Sequence, residues 1–248
     1  MCILTIVTIN FNSGEGLGLT YNSVIQQIAH NRETYQWILI DGLSHDKSSD
    51  FCRSPYDVNY DVVVSEPDSG IYNAMNKGLD LATGDYILFM NSGDEFFSGF
   101  SSKSWTNFLN LNDKCVYYTN VFVKYKNRNN VLVDYSRKSL SFNLGLPFCH
   151  QAVYVPKSIY KYNRFDESYR IYATLPYFYQ VTKNNRIKHI NITSCVYDMS
   201  GVSSTISLDN LRELIRFNKN IGEYNIKIFF RIVMLAVKSK IKKLIKFD

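Results

Sequence analysis

Val62-Val63-Val64-Ser65-Glu66-Pro67-Asp68-Ser69-Gly70-Ile71-Tyr72-Asn73-Ala74-Met75-Asn76-Lys77-Gly78, followed shortly by Ala82-Thr83-Gly84-Asp85-Tyr86-Ile87-Leu88-Phe89-Met90-Asn91-Ser92-Gly93-Asp94, sets three elements in succession. The β-branched run Val62 to Ser65 reads as a buried strand. Ile71, Met75 and Leu79 recur at i+4 steps and predict a helix over Ile71 to Ala82, and Tyr86 to Met90 reads as the next strand. Upstream the same order recurs. Ile3 to Ile9 is β-rich, Asn10-Phe11-Asn12-Ser13-Gly14 signals a loop, and Leu17, Tyr21, Val24, Ile25 and Ile28 mark a helix. Trp37 to Ile40 then forms a strand ending at Asp41-Gly42. Strands alternating with helices imply parallel crossovers and an α/β sheet. Each strand ends in a polar cluster: Asn10 to Ser13, Asp41 to Asp46, Glu66 to Gly70 and Asn91 to Asp94. Carboxyl ends of such strands line the ligand crevice of an open sheet, so the four clusters are expected to form one site.

The second half carries a different pattern. Val116 to Tyr125 and Val131 to Tyr135 flank Lys126-Asn127-Arg128-Asn129-Asn130 and predict a hairpin beside the site. Helices are expected over Leu208 to Ile221 and Ile226 to Lys246. With 248 residues, 46% of them apolar, the chain can fill a sizeable core, which excludes a disordered chain or a disulfide-stapled miniprotein. The formal net charge of +6 resides in Asn225 to Asp248, where seven cations (Lys227, Arg231, Lys238, Lys240, Lys242, Lys243, Lys246) face one anion, Asp248. A localised basic segment mixed with Ile228, Phe229, Ile232, Val233 and Leu235 predicts an amphipathic helix on an anionic membrane surface; the alternative is a helix packed on the domain with a solvated basic edge. The remainder is neutral and offers no nucleic-acid-binding motif, so no nucleic-acid partner is expected. Cys2, Cys52, Cys115, Cys149 and Cys195 form no closely spaced pair, as expected of a reduced cytoplasm, and neither an export signal nor a spanning helix is read.

Together with Ile40-Asp41-Gly42-Leu43-Ser44-His45-Asp46, the two quoted stretches resemble glycosyltransferase family 2, and within it the colanic acid biosynthesis group. The resemblance covers residues 3 to 95 and, more weakly, 147 to 203. It implies a GT-A fold, a nucleotide-sugar donor, a divalent metal (Mg or Mn) and inversion at the anomeric carbon. A nucleoside diphosphate leaves as an anion whose growing charge a metal neutralises, held by few carboxylates and by the phosphates themselves. By resemblance Asp94 holds that metal; the ordinary role for such a residue is a turn or helix cap. Asp41 is expected to accept a hydrogen bond from the donor base, the alternative being an Asx-turn before Gly42, with Thr8 and Asn10 lining the same pocket. Asp68, Asn76, Lys77 and Asn91 are expected to face the diphosphate and sugar. Asp46 and Asp85 read as capping or turn residues. Phe148-Cys149-His150-Gln151-Ala152-Val153 resembles a segment that returns to the active site, where His150 would ligate metal, contact phosphate or orient acceptor. Cys149 reads as a small buried hydrophobe.

An inverting transferase also needs a base at the acceptor hydroxyl. Phe165-Asp166-Glu167-Ser168-Tyr169-Arg170-Ile171 matches the family segment, but Thr174 stands where its aspartate is expected. Either Asp166 or Glu167 substitutes, or the enzyme is slow, or it is inactive on its own. The expected organisation is a GT-A domain over 1–205, with a donor half (1–95) and an acceptor half (96–205), followed by a basic helical segment (206–248). The expected activity is transfer of one sugar to a lipid-linked or oligosaccharide acceptor in bacterial surface polysaccharide assembly, at the inner face of the cell membrane. The competing readings are a catalytically degenerate GT-A module that binds nucleotide sugar or a partner transferase, and a nucleotidyltransferase, whose Gly-rich basic loop after the first strand is missing.

Overall fold

The computed structural model describes residues 2–29, 31–53, 55–100, 109, 114–125, 128–199 and 207–244, with side chains for all of these except 128 and 238–244. The first strands are β1 (Leu4–Asn10), β2 (Tyr35–Asp41), β3 (Val62–Ser65) and β4 (Tyr86–Phe89). β1, β2 and β4 are buried along their whole length, which is why they read as continuous apolar runs rather than alternating ones. α1 (Gly16–Ile28) and α2 (Ile71–Leu81) are the crossovers. α2 lies directly on β1: a Cβ at Gly78 would run into the Val7 side chain.

The chain then adds β5 (Glu95–Phe96), β6 (Val116–Tyr125), β7 (Arg128–Val133), β8 (Val153–Pro156), α3 (Lys157–Tyr160), α4 (Thr174–Lys183), β9 (Ile187–Asp198), α5 (Leu208–Asn220) and α6 (Ile226–Leu244). Among the described residues one mixed sheet of nine strands runs in the order β3-β2-β1-β4-β8-β6-β9-β5, with β7 pairing β6. β1 to β4 are mutually parallel and β8 runs antiparallel to both β4 and β6.

The elements expected in the first half form within a few residues of their expected bounds. The hairpin forms as well, with β7 beginning at Arg128 rather than Val131; Lys126 and Asn127 lie outside the described residues. β9 has no counterpart in the reading above. It pairs in parallel with β6, and a register shift around Asn120 interrupts its periodicity.

Register fixes where the site lies. β1 and β2 pair from Leu4↔Tyr35 to Asn10↔Asp41, and β2 pairs β3 up to Asp41↔Ser65. Asn10, Asp41 and Ser65 therefore form one polar row at the carboxyl edge. β1 is also where the strand order reverses, with β2 and β3 on one side and β4 on the other. Such a switch point opens a crevice at the carboxyl ends of the flanking strands.

Candidate functional site

The floor of the crevice is a hydrogen-bonded block. Asn10 Nδ2 donates to Asp41 Oδ1 at 2.7 Å and to the Ser44 and Ser48 hydroxyls at 3.0 Å. Asp41, 1% exposed, also accepts from the Ser44 hydroxyl on Oδ1, and from Ser44 N and the Ser65 hydroxyl on Oδ2. Burial pushes its carboxyl up, but the hydrogen bonds from Ser44, Ser65 and Asn10 outweigh it and hold the group below its ordinary value. A carboxylate accepts about four such bonds, and all four places are taken within the protein. Asp41 ties together the ends of β1, β2 and β3 and, through Ser44 N, closes the turn given above as the alternative to a base contact. The expectation for Thr8 is corrected: the residue is fully buried in the core below the crevice, where its hydroxyl accepts from Trp37 Nε1 at 3.1 Å. Asp46 caps the turn at Lys47–Cys52, as expected, and accepts from Gly14 N at 2.7 Å.

Above this floor stands an exposed ring. Phe11, 64% exposed, follows directly on β1 and leans over Gly42, where a Cβ would come within 3.1 Å of the ring and 2.7 Å of Asp68 Oδ2. Only glycine lets Phe11 and Asp68 approach the chain there. Asn12 and Leu43 hold left-handed backbone at φ 46° and 62°, and Asn12 Oδ1 accepts from His45 N, joining the loops after β1 and β2. The left-handed residues and this cross-link fix the loops that carry the exposed Phe11 ring at the carboxyl edge.

The turn after β4 meets the same block, since Ser92 Oγ donates to Asn10 Oδ1 at 3.0 Å. Asp94, 4% exposed, accepts from Gln151 Nε2 at 2.8 Å and from the backbone N of Asp198 at 3.0 Å. Burial pushes its carboxyl up to about 7; those two donors oppose the shift, and the Asp198 and Glu95 charges add to it. Asn91 Nδ2 lies 3.4 Å from His150 Nε2, and Asn91 Oδ1 is buried without a partner. Burial lowers His150 to about 4, so its imidazole is neutral at pH 7 and suits metal ligation better than phosphate pairing. Cys149 is only partly buried, and its thiol donates to Gln151 Oε1 at 2.9 Å, which corrects the expectation of a buried hydrophobe.

Among the described residues no three His, Cys, Asp or Glu side chains gather to hold a cation by themselves. The donor set still suits one. Asp94 and Asp198 meet where the Asp198 backbone N donates to Asp94 Oδ1, and a divalent ion held by few carboxylates takes its other oxygens from phosphate and water.

The far wall is the start of α2. Glu167 accepts from Asn76 Nδ2 at 2.9 Å, Ser69 Oγ at 3.1 Å and Asn73 Nδ2 at 3.2 Å, and these bonds, Asn76 first, lower its carboxyl. Asn76 also bonds the backbone O and N of Phe165, so it clamps this segment onto α2 instead of facing the crevice. Lys77 is drawn to Glu66 at 2.6 Å and to the Pro67 carbonyl. Asp166 is not brought to the site. It caps its own turn through Ser168 and lies 3.7 Å from Arg216 of α5, in a cleft of about 390 Å³ that Tyr169, Tyr177 and Lys183 also line. Thr174 is buried at the start of α4 against Tyr72.

Four participants escaped the sequence reading. Phe11 was legible as an aromatic inside a polar strand-end loop. Asp198 sits at the end of an unread strand. Glu213 accepts three backbone N–H bonds, from Arg170, Ile171 and Tyr172, and so fixes the approach to Thr174. Ser44 lay within a quoted motif, yet nothing in the sequence marked it as the main partner of Asp41.

Comparison with known proteins bears on the fold and the family. A crystal structure of S. aureus TarS superposes with a TM-score of 0.68 at 16% identity, covering 95% of this chain and 43% of that one. TarS 1-349 in complex with UDP gives 0.67 at 15% identity, covering 86% and 63%. The chain thus spans less than half of the first solved chain, and what is shared is the fold, the expected GT-A arrangement. In sequence, a PGL/p-HBAD biosynthesis glycosyltransferase of Mycobacterium bovis is 25% identical over 181 residues, 69% of each chain. An uncharacterized glycosyltransferase of Mycobacterium tuberculosis is 38% identical over 93 residues, 38% of this chain and 34% of that one. The profile described as glycosyl transferase family 2 matches residues 5–207, and the chain belongs to that family of glycosyltransferases.

Proposed function

We propose that the protein moves a single sugar, with inversion, from a nucleoside-diphosphate sugar to a lipid-linked or oligosaccharide acceptor in bacterial surface polysaccharide assembly. It works on the cytoplasmic side of the cell membrane. Residues 1–95 bind the donor, 96–205 shape the acceptor side, and 206–248 meet the anionic membrane surface. The observation that carries this reading is the meeting of the Asn10–Asp41 block, the open Phe11 ring and the Asp94–Asp198 pair at one switch point. That TarS 1-349 has been solved with UDP-GlcNAc supports the donor class.

In this reading the base stacks on Phe11, Asp68 lies over Gly42 beside it, and the diphosphate runs toward Asp94. Asp94 and Asp198 would hold Mg²⁺ or Mn²⁺, which when bound offsets the charge of the departing diphosphate, while His150 lies beside Asn91. Asn91 Oδ1 takes a donor hydroxyl, the partner it otherwise lacks. Gln151 orients Asp94. Glu167 is the carboxylate of its segment on the crevice wall and takes the acceptor proton; its lowered pKa makes it a weak base, so slow turnover is expected.

The observation that Thr174 is buried and Glu167 fully engaged favours a second reading, a degenerate module that binds nucleotide sugar without transferring it. Incubating a panel of nucleotide sugars with Mn²⁺ and lipid-linked or oligosaccharide acceptors, and reading the anomeric configuration of any product by NMR, separates the two. A product of inverted configuration supports transfer. Tight donor binding with neither transfer nor hydrolysis supports the degenerate module.

A further inference from the structure

Up to Val237 helix α6 divides its apolar residues between two faces, and among the described residues only one of them is covered. Ile228 and Ile232 are 8% and 1% exposed, on the side packed within the protein. Opposite them Phe230, Met234 and Val237 are 58%, 55% and 50% exposed, with Ile226 and Val233 beside them. Spacings of three, four and seven residues put these five on one stripe. Lys227 and Arg231, both exposed, border one edge of it, and the helical repeat carries positions 238 and 242, lysines in the sequence, along the same edge. No acidic residue occurs from Tyr224 to Phe247. Among the described residues no helix is long and apolar enough to cross a membrane.

A bare apolar stripe edged by cations alone calls for an occupant that is apolar within and negative at its surface. A second copy of this chain answers poorly, because a two-fold contact through the stripe would bring two cationic edges together with no anion between them. An anionic lipid leaflet answers both features. We infer that α6 is a docking foot whose outer face enters such a leaflet, with Phe230, Met234 and Val237 at the acyl boundary and Lys227 and Arg231 at the headgroups. This rests on the membrane-side reading above and adds the face and the mode: attachment is part insertion and part charge, so it outlasts screening by salt.

Flotation of the full chain with phosphatidylcholine vesicles, with and without phosphatidylglycerol, tests this. The chain is expected to float with the anionic vesicles and to keep a reduced but measurable share in high salt. Phe230→Ser with Met234→Ser is expected to lower partitioning by roughly tenfold or more, as the loss of two inserted side chains requires. Lys227→Glu with Arg231→Glu is expected to lower it several-fold and to weaken the salt dependence. Both pairs lie on exposed positions, and circular dichroism and Mn²⁺-dependent nucleoside-diphosphate stabilisation on the same preparations check the fold and separate this claim from the transfer reading. Absence of vesicle binding by the parent chain would overturn the inference, as would binding indifferent to the serine pair or a solution dimer that the serine pair dissolves.

Discussion

Gln151 donates a 2.8 Å hydrogen bond to Oδ2 of Asp94, joining the segment before β8 to the turn that closes β4. The bond orients the one buried acid of the crevice whose carboxyl is pushed up toward neutrality, and the Cys149 thiol in turn holds the Gln151 carbonyl. Outer partners of this kind set ligand geometry. Gln151→Leu is therefore expected to weaken Mn²⁺-dependent nucleoside-diphosphate binding by about tenfold while metal-free binding changes little. Titration calorimetry with and without Mn²⁺ checks it; equal affinities for variant and parent would remove Gln151 from the site.

Asp94 also predicts a pH dependence. Its carboxyl titrates near 3.8 when unfolded and near 7 when folded, so the folded state holds the proton over that window. Its contribution is full below the unfolded value and is lost as pH rises through about 7. Asp94→Asn should leave metal-free protein more stable than the parent at pH above 7, by roughly 2–4 kcal/mol, with the gap closing toward pH 4. Denaturant melts of both proteins across this range, in the presence of a chelator, give the comparison.

Asp41 carries the opposite sign. Its folded carboxyl lies below the ordinary value, so it stabilises above that value and the contribution is lost as pH falls through the folded pKa. Asp41→Ala removes the acceptor that Asn10, Ser44 and Ser65 share, and is expected to cost about 2–4 kcal/mol of stability at pH 7. Urea melts measure this. A variant as stable as the parent would show that the block is not what holds the three strand ends together.

Phe11→Ala should weaken nucleoside-diphosphate binding by about 1–3 kcal/mol, the usual worth of base stacking, and leave the melting temperature almost unchanged because the ring is largely exposed. An unchanged dissociation constant would place the base elsewhere.

The two acids of the Phe165–Ile171 segment separate cleanly. Glu167→Gln is expected to lower turnover by about 10² to 10⁴ with donor affinity retained, whereas Asp166→Asn, on the side of Ser168 and Arg216, should stay within about twofold of the parent. Single-turnover assays decide, and the reverse ranking would assign the proton transfer to Asp166.

Much of this site was legible because its parts sit at the ends of long apolar runs. The strand ending at Asn10, the one ending at Asp41 and the turn to Asp94 announce themselves by a change from apolar to polar residues, and the alternation with helices puts all three at one edge. What the sequence could not reveal depends on distance between remote segments. That Ser44 and Ser65 both close on Asp41 is decided by strand register and loop geometry. By resemblance Thr8 belongs to the pocket, but in a strand buried throughout it meets Trp37 instead. Asp198 reaches Asp94 through a strand whose pairing shifts register near Asn120, so its alternation never became readable. Asn76 matched a family position and still turns its amide to the Phe165 backbone.

The central claim is that Asp94 and its neighbours form a cation-assisted nucleoside-diphosphate site. The most direct measurement is the thermal shift of the parent chain and of Asp94→Asn with UDP, GDP, CDP and dTDP, each with and without Mn²⁺. The account predicts that at least one diphosphate raises the parent's melting temperature only when Mn²⁺ is present, and that Asp94→Asn loses the shift. A shift of equal size in Asp94→Asn, or none with any of the four in the parent, would contradict it.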